Sequence, residues 1–118
     1  MSTRDFRITV RGVFDGLGEE QRAELLARAA DHDVLHAAFT PEGHLSYDIA
    51  ARTAFTFRFA DTGEEAEDLV TAAARAEAAA AAWLTDRGYG YRNLRSQAED
   101  LSEAALGKRR RREAARQD

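Results

Sequence analysis

The sequence predicts an α+β fold in which two helices cover one face of an antiparallel sheet. Three observations lead to it. Apolar and polar residues alternate strictly over 6–10 and again over 55–59, which is the pattern of a strand with one buried face. A long alanine-rich stretch with helical spacing follows the second of these segments. The chain has 118 residues, which is enough for one domain but too few for two ordinary ones.

The first strand and the first helix are predicted near the N-terminus. Phe6, Ile8 and Val10 form the apolar side of the strand, and a glycine-punctuated turn follows over 12–18. A helix should then run over about 19–31, with two acids at the end where the helix dipole favours them. Its apolar stripe should consist of Leu25, Leu26, Ala29 and Ala30.

A hairpin is predicted in the middle of the chain. Its first strand should span 34–39 and its second strand 45–49. Between them, Pro41 and Gly43 occupy the second and fourth positions of a four-residue segment, as a type I turn prefers. The strand over 55–59 then follows directly.

The second helix has the clearest predicted boundaries. Thr62 and Glu65 fit a capping box at its start, and Gly88 is placed to end it. A last strand should include the aromatic residues of 89–94, and a short helix or arm is expected over 98–106. The helix stripe that faces the sheet should consist of Leu69, Ala73, Ala76, Ala80, Trp83 and Leu84.

This order of elements is typical of the ferredoxin-like split β-α-β sandwich. Right-handed crossovers place both helices on the same face of the sheet. Whether the hairpin adds an extra strand to the sheet stays open. We expect residues 1–106 to form a single domain, and residues 107–118 to form a basic, disordered tail.

Charge and composition exclude several classes of function. Residues 107–118 hold six bases against two acids, so the other 106 residues carry a net charge of −8 in a chain of −4. The absence of cysteine excludes disulfides, thiol catalysis and cysteine-ligated zinc. No apolar run approaches the ~20 residues that span a membrane, and no secretory signal is visible. We therefore expect a soluble cytoplasmic protein.

The sheet face away from the helices is the main candidate for a ligand or dimer surface. It should carry Arg7, Thr9, Arg11, Ser46, Asp48, Thr56 and Arg58. A second copy could cover this face by pairing arginines with Asp48 across a two-fold axis, although antiparallel sheets also tolerate a solvated face. We expect a homodimer and a small acidic or aromatic ligand.

The catalytic candidates are His36 and His44, as an acid–base pair, together with Tyr47 and Asp48. The two histidines would face each other across the hairpin, and Tyr47 and Asp48 would orient an acidic substrate together with Arg58. Three further aromatic residues have a polar atom at the end of the side chain, as Tyr47 does. They could line a pocket with Tyr47, or they could belong to the core with their polar atoms in contact with water. They are Trp83, Tyr89 and Tyr91.

Two partial motifs predict no site. His32 and His36 have metal-ligand spacing, but the predicted helix end between them breaks the geometry, so we expect no metal and no cofactor. Residues 10–16 partly resemble the phosphate loop of acylphosphatases, which also follows the first strand of a ferredoxin-like fold. The arginine of that loop is missing, and Asn93, the sole asparagine, lies far along the chain. We therefore interpret these glycines as a turn.

Nucleic acid is a weak alternative. RNA-recognition domains share the split β-α-β order and stack bases on aromatic residues of the open face. Here the phenylalanines of 55–59 belong to the side under the helices, and the acidic body repels phosphate. Only a weak contact through the basic run at 108–112 is left as an alternative.

Segments 11–17, 38–48 and 87–95 resemble a family of short, uncharacterised proteins of high-GC actinobacteria, a domain of unknown function. The resemblance extends over about 6–112. It implies a stand-alone bacterial protein and supplies no activity and no functional residues.

From these patterns we expect a dimeric, non-catalytic, ferredoxin-like protein that binds a small ligand or a protein partner. The alternative is an enzyme that resembles the cofactor-independent monooxygenases and isomerases of the dimeric α/β-barrel type.

Overall fold

The structure is a computed structural model that describes residues 3–102. It is an α+β fold, a four-stranded antiparallel sheet with two helices packed on it. The strands are β1 (Arg4–Phe14), β2 (His44–Tyr47), β3 (Ala54–Gly63) and β4 (Tyr91–Asp100), in the order β2-β3-β1-β4. The helices are α1 (Glu19–Ala27) and α2 (Asp68–Asp86). The predicted tail and residues 103–106 of the predicted arm lie outside the described residues.

The core lies between the sheet and the helices, on the side that the alternation predicts. Val10 pairs with Phe57, and the side chains of both are buried on the helix side. Helix α2 covers them through small residues, which allow a close approach of helix and sheet. The buried residues of α2 are Ala72, Ala76, Ala80 and Leu84. Three residues of the predicted stripe, Leu69, Ala73 and Trp83, are only partly buried.

The predicted strand at 34–39 is wrong. Val34–His36 forms a 3-10 turn, because the Asp33 carboxylate accepts a hydrogen bond from the backbone N–H of Leu35 and so offers the backbone a local partner. Thr40 contacts the sheet through an isolated bridge to Phe59, and the ring of Phe39 lies against Arg7 of β1, with 5.1 Å between the ring centre and the guanidinium carbon. Residues 3–102 therefore contain no extra hairpin strand.

Helix α1 is shorter than predicted. It ends at Ala27, and a first 3-10 turn over Ala29–His32 continues the chain. Of the predicted stripe only Leu25 is buried, while Leu26 is 44% exposed. The last residue of this 3-10 turn, His32, bonds to β2, since its Nδ1 lies 2.9 Å from the Leu45 carbonyl oxygen.

Helix α2 starts later than the capping box predicts. Thr62 belongs to β3, whose pairing with β1 continues to Gly63, so its side chain is not an N-cap. Instead the carboxylate of Asp68 accepts hydrogen bonds from two preceding backbone N–H groups, those of Glu64 and Glu65, each at 3.0 Å. The predicted end of the helix is confirmed, because Gly88 has a φ of 74° and its N–H donates to Thr85.

Strand β4 is longer than the predicted last strand. It begins at Tyr91 and includes residues 98–100, which were expected in a helix or arm. A register shift interrupts its pairing with β1 between Arg11 and Val13, and Asn93 takes a φ of 57° there. The alternation is broken at this irregularity, which is why the sequence pattern ends early. Within residues 3–102, no helix is long and apolar enough to cross a membrane.

Candidate functional site

A cleft opens between the C-terminal end of α1 and the C-terminal end of α2. We refer to it as the α1–α2 cleft. It has a volume of about 340 Å³. Polar and aromatic side chains and one leucine line it, namely Glu24, Leu25, Arg28, His32, Tyr47, Trp83, Arg87 and Tyr89. The structure therefore brings three of the four predicted pocket aromatics together, and Tyr91 lines a different depression beside α2.

Both tyrosines of the cleft have hydroxyl groups that donate hydrogen bonds within the protein. Tyr47 points to the helix side because it pairs with Phe55, and its hydroxyl donates to the Leu25 carbonyl oxygen at 2.5 Å. The Tyr89 hydroxyl donates to the Glu24 carboxylate at 2.9 Å. Burial raises the pKa of Tyr47 to about 12, and burial followed by the Glu24 hydrogen bond raises the pKa of Tyr89. Both phenols are therefore neutral at neutral pH.

His32 enters the same cleft from the first 3-10 turn. The ring centroids of His32 and Tyr47 lie 5.1 Å apart. Since the Leu45 carbonyl oxygen can only accept, the His32 Nδ1 at 2.9 Å must carry a proton. In the neutral imidazole, Nε2 is then the basic nitrogen.

The cationic side of the cleft comes from two arginines. The guanidinium of Arg87 lies 4.0 Å from the centre of the Trp83 ring, and it donates a hydrogen bond to the Trp83 carbonyl oxygen. Tyr89 stacks on the same indole, with ring centroids 6.0 Å apart. Arg28 lines the cleft from the α1 side. Two guanidinium groups against one carboxylate, that of Glu24, leave the lining with a net positive charge.

The open face of the sheet carries the polar residues that the alternation placed there. Register puts Arg7, Thr9 and Arg11 of β1 on one side with Thr56 and Arg58 of β3. The hydroxyl of Ser46 shares that side, because Arg58 donates to it at 2.7 Å. Asp48 follows the end of β2 and is exposed. Their role as a ligand or dimer surface stays a prediction.

Strand β4 contributes arginines to this face that the sequence reasoning missed. Arg95 lies directly opposite Arg11, and Arg92 lies opposite Val13. Gln97 and Glu99 continue the row beside Thr9 and Arg7. The alternation of Arg95, Gln97 and Glu99 with smaller residues was the signal that could have found them.

A groove of about 400 Å³ runs along the edge formed by β2. Its polar lining includes Asp48, Arg52 and Arg58, and its apolar lining includes Leu26 and Val34. Asp48 and Arg58, which were both expected to orient a substrate, therefore line the same groove, on the other side of the strand from the α1–α2 cleft.

The four catalytic candidates, His36, His44, Tyr47 and Asp48, do not share one cleft. Tyr47 lines both cavities, and Asp48 lines only the groove at β2. Neither cavity includes His36, which is exposed, or His44, whose buried Nδ1 has no hydrogen-bond partner within residues 3–102. The ring that stands beside Tyr47 is that of His32. Sequence spacing could not show this, because it depended on where α1 ends.

No three histidine or acidic side chains of residues 3–102 lie close enough together to hold a metal ion. Comparison with known proteins gives one result: residues 1–112 match the profile of DUF6204, a family of unknown function. The chain belongs to DUF6204. No curated protein and no solved structure matches this DUF6204 chain. The match includes the stretch of about 6–112 over which the sequence resembled a family of unknown function. The occurrence of that family in actinobacteria stays a prediction.

Proposed function

We propose that this DUF6204 protein binds a small aromatic anion in the α1–α2 cleft without transforming it. The scaffold would be a ferredoxin-like sandwich. Supporting this topology, β1 and β2 both run antiparallel to β3, which lies between them, and a helix follows each of β1 and β3.

The observation that carries the proposal is the combination of guanidinium groups and aromatic rings in one cleft. Arg28 and Arg87 offer planar, paired donors that match a carboxylate. Trp83 and Tyr89 add aromatic surface to the lining, and the part of the indole that Arg87 and Tyr89 do not cover is left for an aromatic body. A ligand with both features satisfies both halves of the lining, whereas a neutral ring or an inorganic anion satisfies only one.

The size of the cleft limits the ligand. Ligand pockets in proteins measure roughly 300–1,000 Å³, and this cleft, at about 340 Å³, is at the lower end. It has space for a molecule with one ring and a short acidic substituent. Larger polycyclic substrates would need the helices to separate.

Binding is favoured over catalysis because the hydroxyl groups of both tyrosines already donate hydrogen bonds within the protein. Tyr47 and Tyr89 donate to Leu25 and Glu24, and a raised pKa makes each a weaker acid than free tyrosine. Neither is matched to proton transfer at neutral pH.

One observation favours the enzymatic alternative. The Leu45 carbonyl oxygen holds the His32 ring in place, and in the neutral ring Nε2 is the nitrogen that can accept a proton, as a general base requires. In a cofactor-independent enzyme of the dimeric α/β-barrel type, His32 would therefore take the role that the sequence suggested for His36 or His44.

The test uses Trp83, the single tryptophan of the chain, as a reporter in the cleft. Titration with benzoate, phenylacetate and 4-hydroxybenzoate should give a saturable change of its fluorescence, and benzyl alcohol should not. Arg28→Gln and Arg87→Gln should weaken the response, while Arg22→Gln, which removes an exposed charge of α1 outside the lining, should not. If no carboxylate saturates the signal at millimolar concentrations, or if benzyl alcohol binds equally well, the proposal is wrong.

The homodimer predicted from the sequence also stays a prediction. Exposed apolar side chains beside the edge formed by β2 are a surface that a second copy could cover, since Val34 is 60% and Leu35 is 84% exposed. Size-exclusion chromatography with light scattering measures the mass directly, and a monomer at tens of micromolar would contradict it.

A further inference from the structure

We propose that the open face of the sheet docks an acidic segment of a partner protein, through a cluster of arginines centred on Arg11 and Arg95. This interaction surface is separate from the α1–α2 cleft, which lies on the helix side. Its experiment does not depend on ligand binding there.

The position of Arg11 directly opposite Arg95 is the observation that indicates a binding partner. The two residues are directly opposite on neighbouring strands, and both are exposed. Like charges in this arrangement destabilise a sheet. Within residues 3–102 no carboxylate forms an ion pair with either side chain. An anion docked between them would remove the repulsion.

The neighbours of this pair extend the positive charge. Arg58 lies diagonally from Arg11, because Thr56 is the residue opposite Arg11. Arg92 lies farther along β4, opposite Val13. Within residues 3–102, the acids near this face lie at its margins, where Glu99 is opposite Arg7 and where Asp48 lines the groove at β2 with Arg58. The region around Arg11 and Arg95 is therefore basic, although the chain as a whole has a net charge of −4.

The chemistry of the face favours carboxylates presented by a protein segment. Guanidinium groups bind carboxylates through paired hydrogen bonds. Thr9, Thr56 and Gln97 lie between the arginines and can exchange hydrogen bonds with a peptide backbone. A flat sheet surface with alternating charged and hydroxyl groups suits an extended segment that places acids at intervals.

Two other occupants fit less well. A second copy docked face to face with its two-fold axis at the Arg11 and Arg95 pair would bring these arginines over their own copies. Nucleic acid would find no Phe, Tyr or Trp among the strand residues of this face on which to stack a base, and Phe39, which the chain before β2 brings beside it, already lies against the Arg7 guanidinium. It would also meet a body of net charge −8 over residues 1–106, which repels a long polyanion more than a short acidic segment.

The experiment measures fluorescence anisotropy of a fluorescein-labelled hexaglutamate peptide against the full chain at low salt. Arg11→Gln/Arg95→Gln should weaken binding about tenfold, as expected for the loss of two exposed charge pairs. The matched control, Arg110→Gln/Arg111→Gln, removes the same charge from the basic tail and should retain most of the affinity. Removal of the opposed charges should also leave the melting temperature of the Arg11/Arg95 variant unchanged or higher, which shows that it is folded.

Three outcomes would overturn the proposal. The first is that the wild-type chain fails to bind hexaglutamate. The second is that the tail variant loses as much affinity as the Arg11/Arg95 variant. The third is that labelled oligothymidylate binds more tightly than hexaglutamate and loses its affinity in the Arg11/Arg95 variant, which would assign the face to nucleic acid.

Discussion

The imidazole of His32 lies against the ring of Tyr47, with the two centroids 5.1 Å apart, and its Nδ1 bonds to the edge strand next to that tyrosine. Two residues that are 15 positions apart thus tie the end of α1 to β2. Tyr47 makes the complementary tie, because its hydroxyl donates to Leu25 in α1. The short strand β2 is therefore held in place partly by its hydrogen bonds to α1 and to the 3-10 turn after it.

Replacement of His32 should loosen this connection. His32→Ala removes the bond to the Leu45 carbonyl oxygen, and we expect it to lower the free energy of unfolding by about 1–2 kcal/mol. Urea denaturation measures the change. His36→Ala is the matched control, since His36 is exposed, and it should stay within about 0.5 kcal/mol of the wild type. Equal effects of the two variants would show that the His32 contact contributes nothing.

Tyr47 should make stability depend on pH in the alkaline range. Its pKa is about 12 in the folded protein against 10.0 for a free tyrosine, so the folded state retains the proton longer. Its contribution is fully present below pH 10 and is lost as the pH rises toward 12. Tyr47→Phe should cost about 1 kcal/mol at neutral pH and should lose less stability than the wild type between pH 10 and 12. Parallel alkaline curves for the two proteins would contradict this.

The sequence determined the regular parts of the fold more closely than the connections. The alternation in β1 and β3 and the glycine after α2 predicted buried faces and a helix end, because each depends on short-range chemistry. The predictions of a strand at 34–39 and of a helix cap at Thr62 were wrong for another reason. The Asp33 side chain forms a local hydrogen bond in the first case, and the pairing of β3 with β1 continues through Thr62 in the second. Neither interaction is visible in the periodicity of the sequence.

The candidate site was predicted only in part, for the same reason. The arginines of β1 and β3 follow from alternation, whereas Arg95 joined them only once the β4 register was known. The cleft aromatics were expected together. Their neighbours Arg28 and His32 depended on the end of α1, which the sequence placed several residues too late.

Asp68 should stabilise the start of α2 through its charge. Hydrogen bonds from the backbone N–H groups of Glu65 and Glu64 lower the pKa of Asp68 below its ordinary 3.8. Its stabilising contribution is therefore present above that value and is lost as the pH falls through the folded pKa. Asp68→Asn retains an acceptor without the charge, and its melting temperature should be below that of the wild type at pH 7. The difference should shrink near pH 3, and a constant difference would show that charge is not the cause.

Gly88 should be required for the sharp end of α2. Its φ of 74° is a conformation that side chains with a Cβ adopt at a cost. Gly88→Ala should therefore lower the free energy of unfolding by about 1 kcal/mol. Gly88→Asn should cost less, because asparagine tolerates this conformation better. Chemical denaturation of both variants gives the comparison, and an alanine variant as stable as the wild type would contradict it.

Two ion pairs should differ in strength because their burial differs. The carboxylate of Asp100 is 2% exposed where it meets Arg4, and it also accepts from the backbone N–H of Ser102. Arg75 and Asp61 form a pair of similar length whose side chains are 60% and 32% exposed. Asp100→Ala should cost about 2–3 kcal/mol, because it removes a buried carboxylate that accepts from both the Arg4 guanidinium and the Ser102 N–H.

By contrast, Asp61→Ala should cost less than about 1 kcal/mol, and that loss should fade at high salt because exposed charges are screened. Thermal melts of both variants in low and molar sodium chloride measure the four values. The ordering rests on burial alone, since the two N–O distances are 2.9 and 2.8 Å. If Asp61→Ala is the more damaging change, the link between β1 and β4 through Arg4 and Asp100 does not stabilise the sheet as its geometry indicates.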